Sequence, residues 1–538
     1  MTDQKVIIFG LDGACFDLIG DWIQEGVLPT LAELIDRGDA AELQSCTPAT
    51  TPPAWSSLTT GVNPGKHGVF GFYRRVPDSY AVQPVSDTDV RANRLWDYTS
   101  TENLTSLVVN VPVTHPGREI NGAIIPGYLS PGDFDTYPED VLSTVKMEDY
   151  RVYAPSESDD VSEDQLLSEW IDLTKSRRDL SLRLMQHYDW DLLFVEFQKT
   201  DGAVHKFDNQ ANVRRIFECV DQCMADILEV TAGDPNVFVV SDHGIGRSKK
   251  WSVALNTWVV ENGYATTTVG SGQNRSWRDD GEETMQSSGA TALTGLLNTL
   301  STVGITKQTV ERVLVAAGLY NLATQVLPEG IGESMNEEVI DESSSEAFYQ
   351  GMGFSGVDTG VVINSRAFYE EGVVDPEKYE PLREALLDAL RDLRGPDDQR
   401  AFEAAQPREA VYEGPYVEEA PDIVLRQSDD YVIGSSDPRG KTFIPAGENR
   451  IDHTDTGLLV AAGPDVVAGW SSGRTPSITD VTPTLLHLLD VPLNERFDGE
   501  PIDILTINYP PEWKDYDWRH PHGETEFTDS ERSALNND

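Results

Sequence analysis

The chain has 538 residues, 39 % of them apolar, and a formal net charge of −50. That length holds one large α/β domain with insertions, or two to three domains, around a real core. Acid is spread along the whole chain rather than held in one tail, which excludes a general affinity for nucleic acid or anionic membranes and points to a salt-rich cytoplasm.

No stretch reaches the roughly 18 consecutive apolar residues of a membrane span. The opening MTDQKVIIFGLDGA runs straight into a strand without a basic leader, so a cytoplasmic location is expected. Four cysteines (15, 46, 219 and 223) form no CxxC pair, which argues against a disulfide framework. Cys219 and Cys223, four apart in a helical pattern, read as a packed face.

In chain order, KVIIFGL (5–11) reads as a buried parallel strand ending in Asp12-Gly13. A carboxylate at that end of an open α/β sheet lies where such sheets place their chemistry. TLAELIDR (30–37) has the apolar spacing of a helix, with Gly38 as its stop. The hydroxyl-rich TPATTPP then leads into a helix expected over Ala54–Thr60, and Pro52 and Pro53 suit its first turn. Thr50 or Thr51 would sit at the helix N-terminus, either as a simple cap or facing an anion.

LTSLVVNVP (104–112) and GAIIP (122–126) read as strands, 132–165 as an acidic surface excursion, and 164–187 as a helix. DLLFVEFQKTDGAVHKFD (191–208) is a strand followed by Asp201 and His205, which share one face if a helix starts near Thr200. NVFVVSDHG (236–244) ends a third strand in Asp242-His243. Residues 265–348 change texture and read as an insertion, possible as a cap over the site. Strands at 357–365 and 422–426, with a helix at 376–394 between them, are expected to return to the core. His453 stands just before the strand GLLVAAG, and ITDVTPTLLHLLDVPL (478–493) reads as an amphipathic helix in which His487 is packed.

Asp12, Thr51, Asp201, His205, Asp242, His243 and His453 thus come from separate segments, most of them at strand ends. They supply carboxylates, imidazoles and a hydroxyl, a donor set suited to divalent ions. At FGLDGA (9–14), TPPAWSSLTTGVNPGKHGVFGF (51–72), TDGAVHKF (200–207), SDHG (241–244), HTDTGLLVAAGPDV (453–466) and DVTPTLLHLLDVPLNERFDGEPI (480–502), the chain resembles the alkaline phosphatase superfamily. The resemblance is to its type I phosphodiesterase/nucleotide pyrophosphatase branch. It implies an α/β/α sandwich with a mostly parallel central sheet and cap insertions.

The same resemblance implies two divalent metal ions, zinc first and manganese second. Asp201, His205 and His453 would hold one; Asp12, Asp242, His243 and the Thr51 oxygen would hold the other. It also implies a phosphoenzyme on Thr51, which stands ten residues before Gly61, as the family's nucleophile stands before the glycine of its TG element. The substrate would be a small phosphate ester or nucleotide-like molecule. Lys66 and His67 are weak candidates for contacting it, with a structural role favoured for His67.

Three rival readings remain at this level. Cys46-Thr47-Pro48 imitates the start of a sulfatase CxPxR signature, but no Arg follows and Cys46 lies fifteen residues before Gly61. A phosphomutase of the cofactor-independent phosphoglycerate mutase type would need a large second domain soon after the nucleophile. An inactive scaffold would not need every ligand position filled. The expected division is a core over 1–264, the insertion over 265–348, a returning core over 349–510 and a partly disordered acidic tail over 511–538.

Overall fold

Val6–Leu11 is apolar at almost every position, and the reason is its place at the centre of a seven-stranded sheet. The computed structural model describes residues 5–517 apart from 77–78, 157–160, 247, 271–336, 350–359, 370, 435–439, 447–451 and 471–473. Across the sheet the strands run Asp39–Gln44, Thr456–Ala462, Asn236–Val240, Val6–Leu11, Leu192–Phe197, Ser106–Val109 and Gly122–Ile125. Val6–Leu11 pairs in parallel with both of its neighbours, and the two strands beyond Leu192–Phe197 continue in parallel. Thr456–Ala462 alone in this sheet runs the other way.

Both faces of the sheet are covered, as a parallel sheet requires. Ile7, Phe9 and Leu11 pack with the helices Phe16–Gln24, Pro29–Arg37, Glu163–His187 and Gln210–Val230. Val6 and Ile8 face the opposite way, toward Trp55, Leu58, Trp96 and Leu485 on other helices. The two-residue alternation of the strands therefore separates two cores, one in each helical layer. This is the expected α/β/α sandwich.

The strands expected to rejoin the core do form, at Gly360–Ile363 and Ile423–Gln427, but they pair with each other instead. With Ala347–Tyr349 and Phe402–Pro407 they build a separate four-stranded antiparallel sheet, backed by the helix Pro376–Arg391. The apolar runs specify strands; which sheet they join depends on distant partners. The 132–165 stretch is less superficial than its acidity suggests, because Val141, Val145, Tyr150 and Ala154 all enter the first core. At the ends of the expected insertion, Thr267–Gly270 pairs antiparallel with Glu337–Ile340. The helical pattern between them lies outside the described residues, as does 518–538 of the tail. Trp513–Lys514 adds a short strand beside Leu493–Asn494, leaving Trp513 exposed while Tyr516 packs against Tyr98.

Candidate active site

Three parallel strands deliver their chemistry at one edge. Asp12 follows Leu11, and Asp242 and His243 follow Val240. After Leu192–Phe197 comes the helix Lys199–Lys206, which carries Asp201 and His205 one turn apart. His453 arrives differently. It precedes the one reversed strand, so the start of that strand lies at the edge where its neighbours end. A two-residue pairing of His453–Thr454 with Gly244–Ile245 fixes it there.

The loops are tied together by hydrogen bonds. Thr200 Oγ1 donates to the Asp12 carbonyl at 2.6 Å, and Ser45 Oγ to the Asp242 carbonyl at 2.5 Å. Gly13 N donates to Asp242 Oδ1 at 3.2 Å. Gly13 has φ +67°, and a Cβ there would stand 2.9 Å from Asp201 Oδ1, so glycine is required on both counts.

The side chains converge. Asp201 Oδ1 lies 3.2 Å from His205 Nε2 and 3.4 Å from His453 Nε2, and the two imidazole nitrogens are 2.9 Å apart. His243 Nε2 lies 3.2 Å from Asp242 Oδ2 and 3.5 Å from Asp12 Oδ1. The His243 and His453 rings stack at 3.8 Å, joining the two halves. Two groups, Asp201–His243–His453 and Asp12–Asp242–His243, each bring their ligand atoms within 4.8 Å of one another.

Burial governs the electrostatics. It pushes the Asp12 carboxyl well up, and the negative charges of Asp242, Asp201 and Glu196 push further. Asp242 is raised too, first by burial, against a backbone hydrogen bond from Gly13. Burial also raises Asp201, but His205 and His453 more than offset it and hold that carboxyl well below the ordinary range. His243 is pushed well down by burial and by His453 beside it, so it stands neutral with a lone pair available.

These residues fit divalent ions. Both Asp12 oxygens, Asp242 Oδ2 and His243 Nε2 are buried without a hydrogen-bond partner, a costly arrangement that a cation would satisfy.

The Thr51–Thr60 helix begins three residues earlier than expected, with Thr51 itself as its first residue. Thr51 is buried, and Thr50 is the extended residue before the helix, making no side-chain cap. Pro52 and Pro53 bring no N–H, and Ala54 N bonds back to the Thr50 carbonyl at 3.0 Å. The first turn is therefore poor in backbone donors for an anion. Cys46 bonds its thiol to the Pro48 carbonyl at 3.3 Å, and burial pushes that thiol up to about 12, far from a reactive thiolate.

Lys66 turns to Asp498 Oδ1 at 2.6 Å and the Arg496 carbonyl at 3.3 Å. His67 is fully buried. Its Nδ1 accepts from Val69 N at 3.1 Å, so Nε2 carries the proton and donates to Ser57 Oγ at 2.9 Å. Burial pushes it down to about 3, with Arg94 adding to the effect. Both residues spend their polar atoms on the fold, which for His67 is the structural role its sequence context favours.

Glu196 is missed by sequence reasoning. It is fully buried, and burial with the charge of Asp242 raises its carboxyl. Oε2 accepts from Asn110 Nδ2 at 2.7 Å. Its signal is an acid inside the apolar run LLFVEF.

A sequence profile of the family described as type I phosphodiesterase/nucleotide pyrophosphatase matches residues 6–457, most of the chain. The chain belongs to that family. As a type I phosphodiesterase/nucleotide pyrophosphatase family member it lies within the alkaline phosphatase superfamily. Its fold is similar to that of phosphonoacetate hydrolase from Sinorhizobium meliloti 1021, solved with phosphonoformate. That comparison has a TM-score of 0.53 at 12 % identity, over 89 % of this chain and 94 % of the other. Human ectonucleotide pyrophosphatase/phosphodiesterase 5 aligns with a TM-score of 0.49 at 12 % identity, over 94 % of this chain and all of the other. A sulfatase, ppz1 of Metarhizium majus (strain ARSEF 297), is 32 % identical over 89 residues; the match spans 16 % of this chain and only 21 % of that relative. Among the described residues no helix is long and apolar enough to cross a membrane.

Proposed function

We propose that this family member cleaves a phosphate ester or pyrophosphate bond of a small, nucleotide-like substrate through a phosphoryl group carried on Thr51. The observation that supports it most is the convergence of Asp12, Asp201, His205, Asp242, His243 and His453 at one sheet edge, with buried donor atoms left unpartnered. Asp201, His205 and His453 would hold one divalent ion, and Asp12, Asp242, His243 and Thr51 Oγ1 a second; zinc suits this nitrogen and carboxylate set, with manganese next. Ions bound there would supply Lewis-acid stabilisation of the phosphoryl oxygens and lower the pKa of the hydroxyl.

Thr51 Oγ1 attacks phosphorus in line. A new O–P bond forms, the bond to the leaving oxygen breaks, and that oxygen takes up a proton as it departs. Water then attacks the phosphothreonine and restores the hydroxyl. The chain's own part is positioning: the buried helix start fixes the Thr51 backbone, and neutral His243 offers a donor atom without first losing a proton. The acid-rich surface supports a salt-filled cytoplasm as the working compartment.

Chelation is expected to abolish hydrolysis of para-nitrophenyl phosphate esters, and zinc or manganese to restore it. Thr51→Ala should lower turnover by at least about 10³-fold. Thr50→Ala and Cys46→Ser should keep most of it, and Thr51→Ser a measurable part. Mass spectrometry after trapping with a slow substrate should place phosphate on the peptide containing Thr51. Normal turnover by Thr51→Ala together with loss in Asp242→Asn would make water the nucleophile. Return of the phosphoryl group to substrate rather than to water would make the enzyme a mutase.

A further inference from the structure

Trp55 lies one turn beyond Thr51, on the same face of the buried helix, and is itself fully buried. Its ring meets Phe194 edge-on with centroids 6.0 Å apart, on the strand paired beside the one that ends in Asp12. The far edge of the indole fills the place of a side chain at residue 10. A Cβ on Gly10 would stand 2.6 Å from Trp55 Cη2. Strand Val6–Leu11 therefore carries glycine there to admit the ring, two residues before Asp12.

An indole N–H can only donate, and when buried it ordinarily finds an acceptor. Trp55 Nε1 has no hydrogen-bond partner, and neither does either oxygen of Asp12. A buried donor lacking an acceptor thus lies on a ring packed against the strand whose end carries acceptors lacking a donor.

We infer that the Trp55 N–H holds one oxygen of the Asp12 carboxylate and leaves the other for a divalent cation, making Trp55 a positioning residue that ties the Thr51 helix to a metal ligand. The inference rests on the metal-dependent reading above. A donor-only group suits this task, because it fixes a carboxylate oxygen without competing for the cation. It also couples two parts that must keep register: the hydroxyl at the helix start and the carboxylate at the strand end share one rigid link. Phenylalanine would fill most of the same space without making that link.

The test measures cation affinity, with zinc as the probe, by competition against a chromophoric chelator on the full chain, with circular dichroism to verify folding. Trp55→Phe removes the N–H and keeps a ring; Gly10→Ala keeps the N–H and displaces the ring. Each is expected to weaken one zinc site by about tenfold or more while leaving the other unchanged. In each, kcat should fall with little change in KM. Affinities within about twofold of wild type at every site in folded Trp55→Phe would overturn the inference. Should either variant fail to fold, the wild type still decides: zinc should shift one ¹⁵N-indole resonance and protect it from exchange, and no such shift would overturn the inference. Absence of zinc binding by the wild type would instead defeat the metal-dependent reading, and this inference with it.

Discussion

Asp201 and Asp242 are both buried in the same cluster, yet their carboxyls are driven in opposite directions. The imidazoles of His205 and His453 lower the first, while burial and the charge of Asp201 raise the second together with Asp12. Without a cation, Asp12 and Asp242 keep protons at pH values where an ordinary aspartate has lost them. A divalent ion must displace those protons, whereas His243, kept neutral by burial, has none to lose. Zinc loading is therefore expected to release protons, and zinc affinity to rise with pH until both carboxyls ionise. Calorimetric titration in two buffers of different ionisation enthalpy checks this; a binding heat independent of buffer would contradict it. Asp12, Asp242 and His243 are legible in the sequence because a polar residue ending an apolar run can only stand at the strand's mouth. Glu196 and Trp55 are not, because a carboxylate inside a strand and a tryptophan inside a helix acquire meaning only from neighbours far away in the chain.

At the scale of elements, the Thr51–Thr60 helix decides how well the hydroxyl is placed. All ten of its residues are buried. Two prolines fix its first turn, and Gly61, with φ +70°, ends it by donating its N–H to the Ser57 carbonyl. A Cβ at Gly61 would meet Phe497 at 2.8 Å, so Gly61→Ala combines a left-handed backbone with a clash. It is expected to cost roughly 2 kcal/mol of stability. Urea unfolding measures it, and a midpoint shared with wild type would show that the C-terminal turn is not under this constraint. The proline and glycine punctuation makes this helix readable from sequence, with only its first turn placed too late. The second sheet is not readable in that way. Gly360–Ile363 and Ile423–Gln427 carry the apolar signature of core strands, but a strand's sheet is set by long-range pairing, here across about 60 residues.

For the whole molecule, 91 acidic residues face 41 Lys and Arg, so even complete ion pairing would leave the chain with 50 uncompensated negative charges. Exposed pairs such as Arg37–Asp234 contribute at most about 1 kcal/mol each, too little to offset repulsion on that scale. Salt acts more broadly: the Debye length falls from about 10 Å at 0.1 M to about 3 Å at 1 M, so repulsion between exposed charges is largely screened. Thermal stability is therefore expected to climb steeply with potassium chloride, with unfolding or aggregation at low salt. Protonation of the buried carboxyls should act in the same direction on the cation-free protein. Asp12, Asp242 and Glu196 have raised folded-state values, so their contribution is complete below the unfolded carboxylate range and is lost as pH rises through the folded values. Asp201 has the opposite sign: its contribution is present above the ordinary aspartate range and is lost as pH falls below it toward the lowered folded value. His243 and His67 have lowered values and lose stability as pH falls through the ordinary histidine range near about 6.5, so the chelated protein should gain stability as pH falls only above that range. With zinc bound the slope should reverse, because protons then compete with the cation for the same carboxyls. Melting curves over a grid of salt and pH, with zinc and with chelator, separate the two contributions. Surface repulsion predicts a rise with salt in both series, and the buried cluster predicts a pH slope that changes sign between them. A melting temperature indifferent to salt would remove the charge argument, and an identical pH slope in both series would remove the cluster's part in it.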